Sequence, residues 1–285
     1  MREKGEWTMA ERNDISFSVL MSIYRGGDAK SLDQSIKSLA EQTVLPTDFV
    51  LVEDGPLTPS LIKVIEKWQK DFPRPLRIFK LKHNHGLGIA LSIGSRHIKS
   101  DWIARMDADD ICCPRRFESQ LNYICQHPEV AVIGGQIKEF TKDPKALTRS
   151  RQVPTSNRDI RQFIKWRCPF NHPTVMINRQ RLNEVGGYLP FGTWEDYYLW
   201  ARFAVKGYAM ANLDQTLVLM RVDKELYHRR GKTNNLKYVM KLQKYMYQHG
   251  LINRFELITG DILNIGNIII PVTVRRLLYQ NLLRS

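Results

Sequence analysis

The chain has 285 residues, of which 43% are hydrophobic and 10% aromatic, enough for one large α/β domain with an appendage and a sizeable core. Its 43 Lys and Arg against 29 Asp and Glu leave a net charge of +14, which suits polyanionic partners: nucleic acid, an anionic membrane surface or phosphate-bearing substrates. Four cysteines without a CxxC pair, no signal-peptide core and no run of ~18 apolar residues exclude a zinc ribbon and a spanning helix, and lead us to expect a reduced, cytoplasmic chain.

The polar residues 1–14 are expected to be disordered. From Ile15 the pattern alternates: "SFSVLMSI" is a strand, "SLDQSIKSLAEQ" an amphipathic helix, "DFVLVEDG" a strand and "SLIKVIEKWQKDF" a helix. "PLRIFKLK", "GIALSIGSRHI" and "DWIARMD" continue as strand, helix and strand. Such a series predicts a parallel sheet flanked by helices, with ligands bound beyond the carboxyl ends of its strands. Tyr24, Glu53, Asp54, His83, Asn84, Asp107 and Asp109 fall at those ends. A helix over "PRRFESQLNYICQHP", the strand "VAVIGGQIKEF", a short strand "HPTVMIN" and a helix "GTWEDYYLWARFAVKG" follow. Residues 233–249 and 254–284 read as basic amphipathic helices.

"RMDADDICCP" places three carboxylates at one strand end. In an extended strand Asp107 and Asp109 share a face and Asp110 points away. Two carboxylates aimed at one point suit magnesium or manganese on a substrate diphosphate. Pro114 is expected to open the next helix. An EF-hand is excluded because Ile111 fills a ligand slot and Cys112 stands where the turn needs glycine. An aspartyl-phosphate site ranks lower, since Ile111 replaces its Thr or Val. A solvated acidic turn is the bland alternative.

These residues resemble a known family. "SVLMSIYRG", "LVEDGP", "HNHGLGIALSIG", "MDADD" and "GTWEDYYLWAR" are similar, in order, to the motifs of inverting family 2 glycosyltransferases of the GT-A fold. Within that family the chain looks most like bacterial enzymes that extend lipid-linked O-antigen or exopolysaccharide units. Glu53 stands where the family has Asp, and Ser92 replaces an Asn. The resemblance spans about residues 15–225, split into a nucleotide-sugar half (15–112) and an acceptor half (113–225), with 226–285 a basic helical extension.

The resemblance implies an α/β, Rossmann-like GT-A domain and a role for each matched residue. Tyr24, Glu53, Asp54, Asn84, Gly86, Asp107 and Ala108 would contact the nucleotide-sugar; Asp109, with His228, would hold Mn2+ or Mg2+. Asp196 would be the general base, with Glu195 its partner or the base itself; Thr193 to Asp196 reads equally as a helix capping box. Trp194, His172, Arg229 and Arg230 would meet the acceptor or a diphosphate, although core packing or a solvated turn explains each as well. The implied reaction moves a hexose from UDP-Glc or UDP-Gal to GlcNAc-diphosphoundecaprenol with a β linkage. A nucleotidyltransferase and an inactive sugar-nucleotide binder are the alternatives.

The last helix, "VTVRRLLYQNLLRS", sets leucines on one face and arginines outside it. It suits the anionic inner face of the inner membrane, its own domain or a second subunit in a homodimer. Nucleic acid is not expected as a partner, since the lysines are dispersed and no recognition motif is present.

Overall fold

The computed structural model describes residues 15–222 and 236–269. Strand β1 (Phe17–Ile23) alternates between two cores: Val19 and Met21 face one apolar cluster, Leu20 the other. β2 (Asp48–Glu53) does the same with Phe49 and Leu51 against Val50 and Val52. Two apolar faces require helices on both sides of the sheet. β3 (Leu76–Lys80) and β4 (Trp102–Arg105) complete a parallel group in the order β3-β2-β1-β4.

The crossovers are α1 (Ala29–Ala40), α2 (Pro59–Asp71) and α3 (Leu87–Arg96). Asp28 caps α1 by accepting from Ser31 N, and Thr58 caps α2 ahead of Pro59. α3 lies tight on the sheet: a Cβ on Gly94 would stand 2.5 Å from Leu20 Cδ1 and 2.8 Å from Val52 Cγ2.

Beyond Arg105 the sheet becomes mixed. β4 pairs antiparallel with β8 (Met176–Asn178), β8 antiparallel with β6 (Val130–Phe140), and β6 parallel with β9 (Ala209–Arg221). A two-residue strand, β5 (Ile111–Cys112), closes the edge antiparallel to β9, and β7 (Leu147–Arg151) pairs with β6. The expected parallel rhythm stops here because the partners are far apart in sequence and no local pattern dictates them. "HPTVMIN" is mostly not strand: His172–Thr174 is a 3-10 turn and only Met176–Asn178 pairs. Pro114 does not open a helix, because α4 (Arg116–Gln126) starts behind an Arg115 cap and the Pro114 carbonyl instead accepts from Thr43 N.

Two short helices, α5 (Asn157–Phe163) and α6 (Arg179–Glu184), lead to α7 (Glu195–Val205). The chain ends its described part in a hairpin of α8 (Leu236–Gln248) and α9 (Arg254–Ile269). Leu242, Met246 and Ile252 share a core with Leu199, Trp200 and Phe203 of α7. Phe191 stacks on Tyr198 at 4.2 Å and meets Tyr238 at 5.4 Å, so α8 also grips the loop that leads into α7. Among the described residues no helix is long and apolar enough to cross a membrane.

Candidate active site

The carboxyl ends of β1, β2 and β3 carry the first group of expected residues. Tyr24 follows β1 and is exposed; Glu53 ends β2, buried, with Lys80 Nζ at 3.4 Å. Asp54 is occupied by its neighbours: its two oxygens accept from His85 N (2.7 Å) and Gly86 N (2.9 Å), while Asn84 Nδ2 donates to its carbonyl (3.3 Å). Gly55, at φ +87°, lets these two loops touch, since a Cβ there would stand 2.7 Å from Asn84 N. Gly86 is the cap of α3 and supplies no side chain to cap the first-turn amides, which an anion could therefore meet.

The carboxylate cluster differs from the strand-based expectation. β4 ends at Arg105 and the chain turns at Ala108 and Asp109, so strict alternation no longer holds. Oxygens of Asp107, Asp109 and Asp110 come within 4.8 Å of one another, and Asp110 joins the cluster rather than facing away. Asp110 Oδ1 accepts from Arg221 N at 2.8 Å; its Oδ2 is buried without a partner. Arg221 also donates through Nε to the Asp109 carbonyl (3.1 Å) and through Nη2 to Gln34 Oε1 (2.7 Å). Asp107 forms an ion pair with Arg105, and its carbonyl accepts from Ser35 Oγ at 2.9 Å. Ala108 turns its methyl into the core, leaving only its backbone for a ligand.

Burial, then the charge of Asp107, pushes the Asp109 carboxyl up to about 6. Although Asp109 is exposed as a residue, protein crowds around its carboxylate. Burial followed by Asp107 and Asp109 drives Asp110 well above the usual carboxylate range. Three oxygen donors that repel one another, one with an unpartnered buried atom, fit a hard divalent cation such as Mg2+ or Mn2+.

The acidic pair begins α7. Its cap is Trp194, with no side-chain cap bond, so the helix starts one residue later than a capping box at Thr193 requires. Glu195 is 7% exposed, and its Oε2 has no partner. A Cβ on Gly88 would stand 3.2 Å from Glu195 Cβ, so the starts of α3 and α7 abut. Burial, then the charge of Asp196, pushes Glu195 up to about 7. Asp196 is half-buried, with Tyr197 N at 2.7 Å from Oδ1 and Cys168 Sγ at 3.7 Å from Oδ2; burial raises its pKa too.

Arg105, 2% exposed, joins the two acid groups: it pairs with Asp107, and its charge stabilises the ionised forms of Glu195 and Asp196. Its Nε and Nη1 are buried without partners. His172 lies behind it, bonded to Tyr188 Oη at 3.2 Å; burial and then Arg105 hold its pKa well below the ordinary value, so it is a neutral internal bracket. Trp194 stacks on Tyr197 at 5.9 Å and hides an unpartnered Nε1. His228, Arg229 and Arg230 lie outside the described residues.

Sequence reasoning missed Arg105 and Arg221. The first had a signal, a charge inside the apolar strand "WIAR". The second had none, because its bond to Asp110 spans 111 residues.

A profile of "Glycosyl transferase family 2" matches residues 18–187. An uncharacterized glycosyltransferase of Haemophilus influenzae is 40% identical over 95% of this chain and 100% of its own length. The amylovoran biosynthesis glycosyltransferase AmsE of Erwinia amylovora is 38% identical over 80% and 84% of the two chains. An Escherichia coli UDP-Gal:alpha-D-GlcNAc-diphosphoundecaprenol beta-1,3-galactosyltransferase is 32% identical over 94% of this chain and 96% of that one. Among solved structures, S. aureus TarS 1-349 in complex with UDP-GlcNAc superposes with a TM-score of 0.68 at 16% identity, covering 91% of this chain and 77% of that one. The mannosyltransferase PcManGT of Pyrobaculum calidifontis, in complex with GDP-Man and Mn2+, gives 0.60 at 18% identity over 93% and 78%. These two likenesses attest the GT-A fold.

Proposed function

Since the chain belongs to glycosyl transferase family 2, we propose that it moves a hexose, galactose or glucose, from a UDP-sugar to GlcNAc on a polyprenyl diphosphate. The observation that carries this reading is the meeting of two acid groups across Arg105: Asp107, Asp109 and Asp110 on one side, Glu195 and Asp196 on the other. One group suits a divalent cation that holds a diphosphate, and the other an acceptor hydroxyl. The choice of sugar, acceptor and β linkage rests on the galactosyltransferase relative that matches nearly end to end.

Tyr24, Glu53 and Asn84 surround the space proposed for the base and ribose, and the α3 start faces the phosphates. Asp109 and Asp110, with Asp107 beside them, would hold Mn2+ or Mg2+. Once bound, the cation offsets the negative charge that grows on the departing nucleoside diphosphate. Asp196 takes the proton of the acceptor hydroxyl as its oxygen bonds to the sugar's anomeric carbon and the carbon–phosphate oxygen bond breaks. Attack opposite the leaving group turns an α donor into a β product. Glu195 is the partner carboxyl, buried against Gly88, with burial and then the charge of Asp196 holding it toward its protonated form. An acceptor fixed in lipid would place the protein at the inner face of the inner membrane as a peripheral enzyme.

Labelled UDP-Gal, UDP-Glc and their N-acetylated forms, offered with a synthetic GlcNAc-diphosphate lipid and Mn2+, test the proposal. One hexose should be transferred, and Asp196→Asn should reduce turnover by about 100-fold or more while leaving UDP binding intact. Unchanged turnover in that variant would remove Asp196 as the base. A product joined through phosphorus would replace the reading with nucleotidyl transfer, and binding without any transfer with an inactive binder.

A further inference from the structure

Helix α1 buries two stripes of different chemistry. Leu32, Ile36 and Leu39 are fully buried and belong to the apolar core on one side of the sheet. Beside them, at ~100° per residue, Ser35 and Ser38 stand about 60° apart on one face. They are 0% and 8% exposed, and each holds the backbone of the carboxylate loop. Ser35 Oγ donates to the Asp107 carbonyl at 2.9 Å, and Ser38 Oγ accepts from Cys112 N at 2.9 Å. Just past the helix, Gln42 Nε2 donates to the Cys113 carbonyl at 2.8 Å. The β9 end supplies the remaining bonds. Arg221 holds Asp110 Oδ1 through its backbone N and the Asp109 carbonyl through Nε, and its Nη2 is anchored on Gln34 Oε1 of α1 at 2.7 Å. The loop is thus held at residues 107, 109, 110, 112 and 113. None of these bonds uses a carboxylate oxygen of Asp109 or Oδ2 of Asp110.

We propose that the polar face of α1 and Arg221 set the protein's affinity for its divalent cation, by holding the 107–113 loop in the shape that gathers its carboxylates before the cation arrives. The proposal rests on the cation site given under Proposed function. Carboxylates within 4.8 Å of one another repel, and a free loop would relax by moving them apart. Bonds from α1 and β9 oppose that relaxation, so the repulsion is borne by the folded protein and relieved when a cation binds. An apolar side chain at Ser35 or Ser38 would fill the same space yet leave a loop carbonyl or amide without its partner. Ser35, Ser38, Gln34 and Arg221 are therefore positioning residues, which act on the cation through the loop.

The test needs no sugar transfer. Mn2+ binding to the full chain, alone and with UDP, is read from the electron paramagnetic resonance signal of the free ion, against UDP by itself. Ser35→Ala and Arg221→Met should each weaken Mn2+ binding by about tenfold or more. Arg221→Lys, which keeps the charge and a donor, should recover part of that loss. Gln34→Met removes only the anchor of the Arg221 side chain and should give a smaller loss in the same direction; it carries the test with Ser35→Ala if Arg221→Met does not fold. Thr58→Ala removes the α2 cap, far from these bonds in the chain, and should lower the denaturation midpoint with Mn2+ affinity unchanged. Wild-type Mn2+ affinity in Ser35→Ala and Gln34→Met would overturn the proposal and leave the cation site standing. An equal loss of affinity in Thr58→Ala would also overturn it, since general stability would then explain the effect. A wild type that binds no Mn2+, with or without UDP, would overturn the cation site and this proposal together.

Discussion

Arg105 is a cation removed from water, and only one of its guanidinium nitrogens, Nη2, has a partner, the carboxylate of Asp107. Breaking a fully buried ion pair costs about 3–5 kcal/mol. Asp107 keeps 34% of its side chain exposed, so Arg105→Met is expected to cost less, about 2–3 kcal/mol, read by denaturant titration. The same substitution should weaken UDP binding in the presence of Mn2+, since Asp107 would lose the partner that orients it. Glu195 gives a pH prediction. Its carboxyl sits at about 7 against an ordinary 4.5, so its proton is favoured by the fold. The sugar-free protein should therefore gain stability as pH falls from about 7 toward 4.5. Catalysis runs the other way, because an ionised Glu195 makes Asp196 beside it a stronger base. Turnover should rise with pH through about 7, and Glu195→Gln should lose that limb; a profile unchanged in the variant would remove Glu195 from the pair.

Among the elements, the first three crossovers were legible in the sequence because each strand and helix carries its own period and cap. Gly94 was legible only as part of a motif; the structure supplies its reason, the approach of α3 to Leu20 and Val52. Gly94→Val should destabilise the chain by about 1–3 kcal/mol by forcing α3 off the sheet, visible as a lower denaturation midpoint. β9 was not recognised: its burial is broken by the exposed Asp214 and Gln215, and its register against β6 shifts around Gln136, so no clean alternation runs along it. The carboxylate loop was found by composition, but its shape was not. The alternation rule for Asp107, Asp109 and Asp110 presumes a strand that has already ended at Arg105.

At the scale of the molecule, the site lies where the start of α3, from the parallel half, meets the start of α7, from the mixed half, at the Gly88–Glu195 contact. Neither half holds both acid groups. The strong upward pull on Asp109 and Asp110 predicts that these groups bind protons or a cation in preference to standing as free charges. Chelation of divalent ions by EDTA should therefore abolish transfer, Mn2+ or Mg2+ should restore it, and Asp109→Asn should raise the metal concentration needed for half-activity. Full turnover in EDTA would contradict the cation site.

Arg221 closes β9 and binds the loop that carries Asp109 and Asp110, while Ile111 and Cys112 take their strand partners from the same segment. On the ribosome, these contacts are unavailable until residue 221 has been made. β1 to β4 precede the brace in the chain, and until β9 is made the acidic loop lacks the partner that shapes it. The acidic loop thus takes its shape only after β9 has been made.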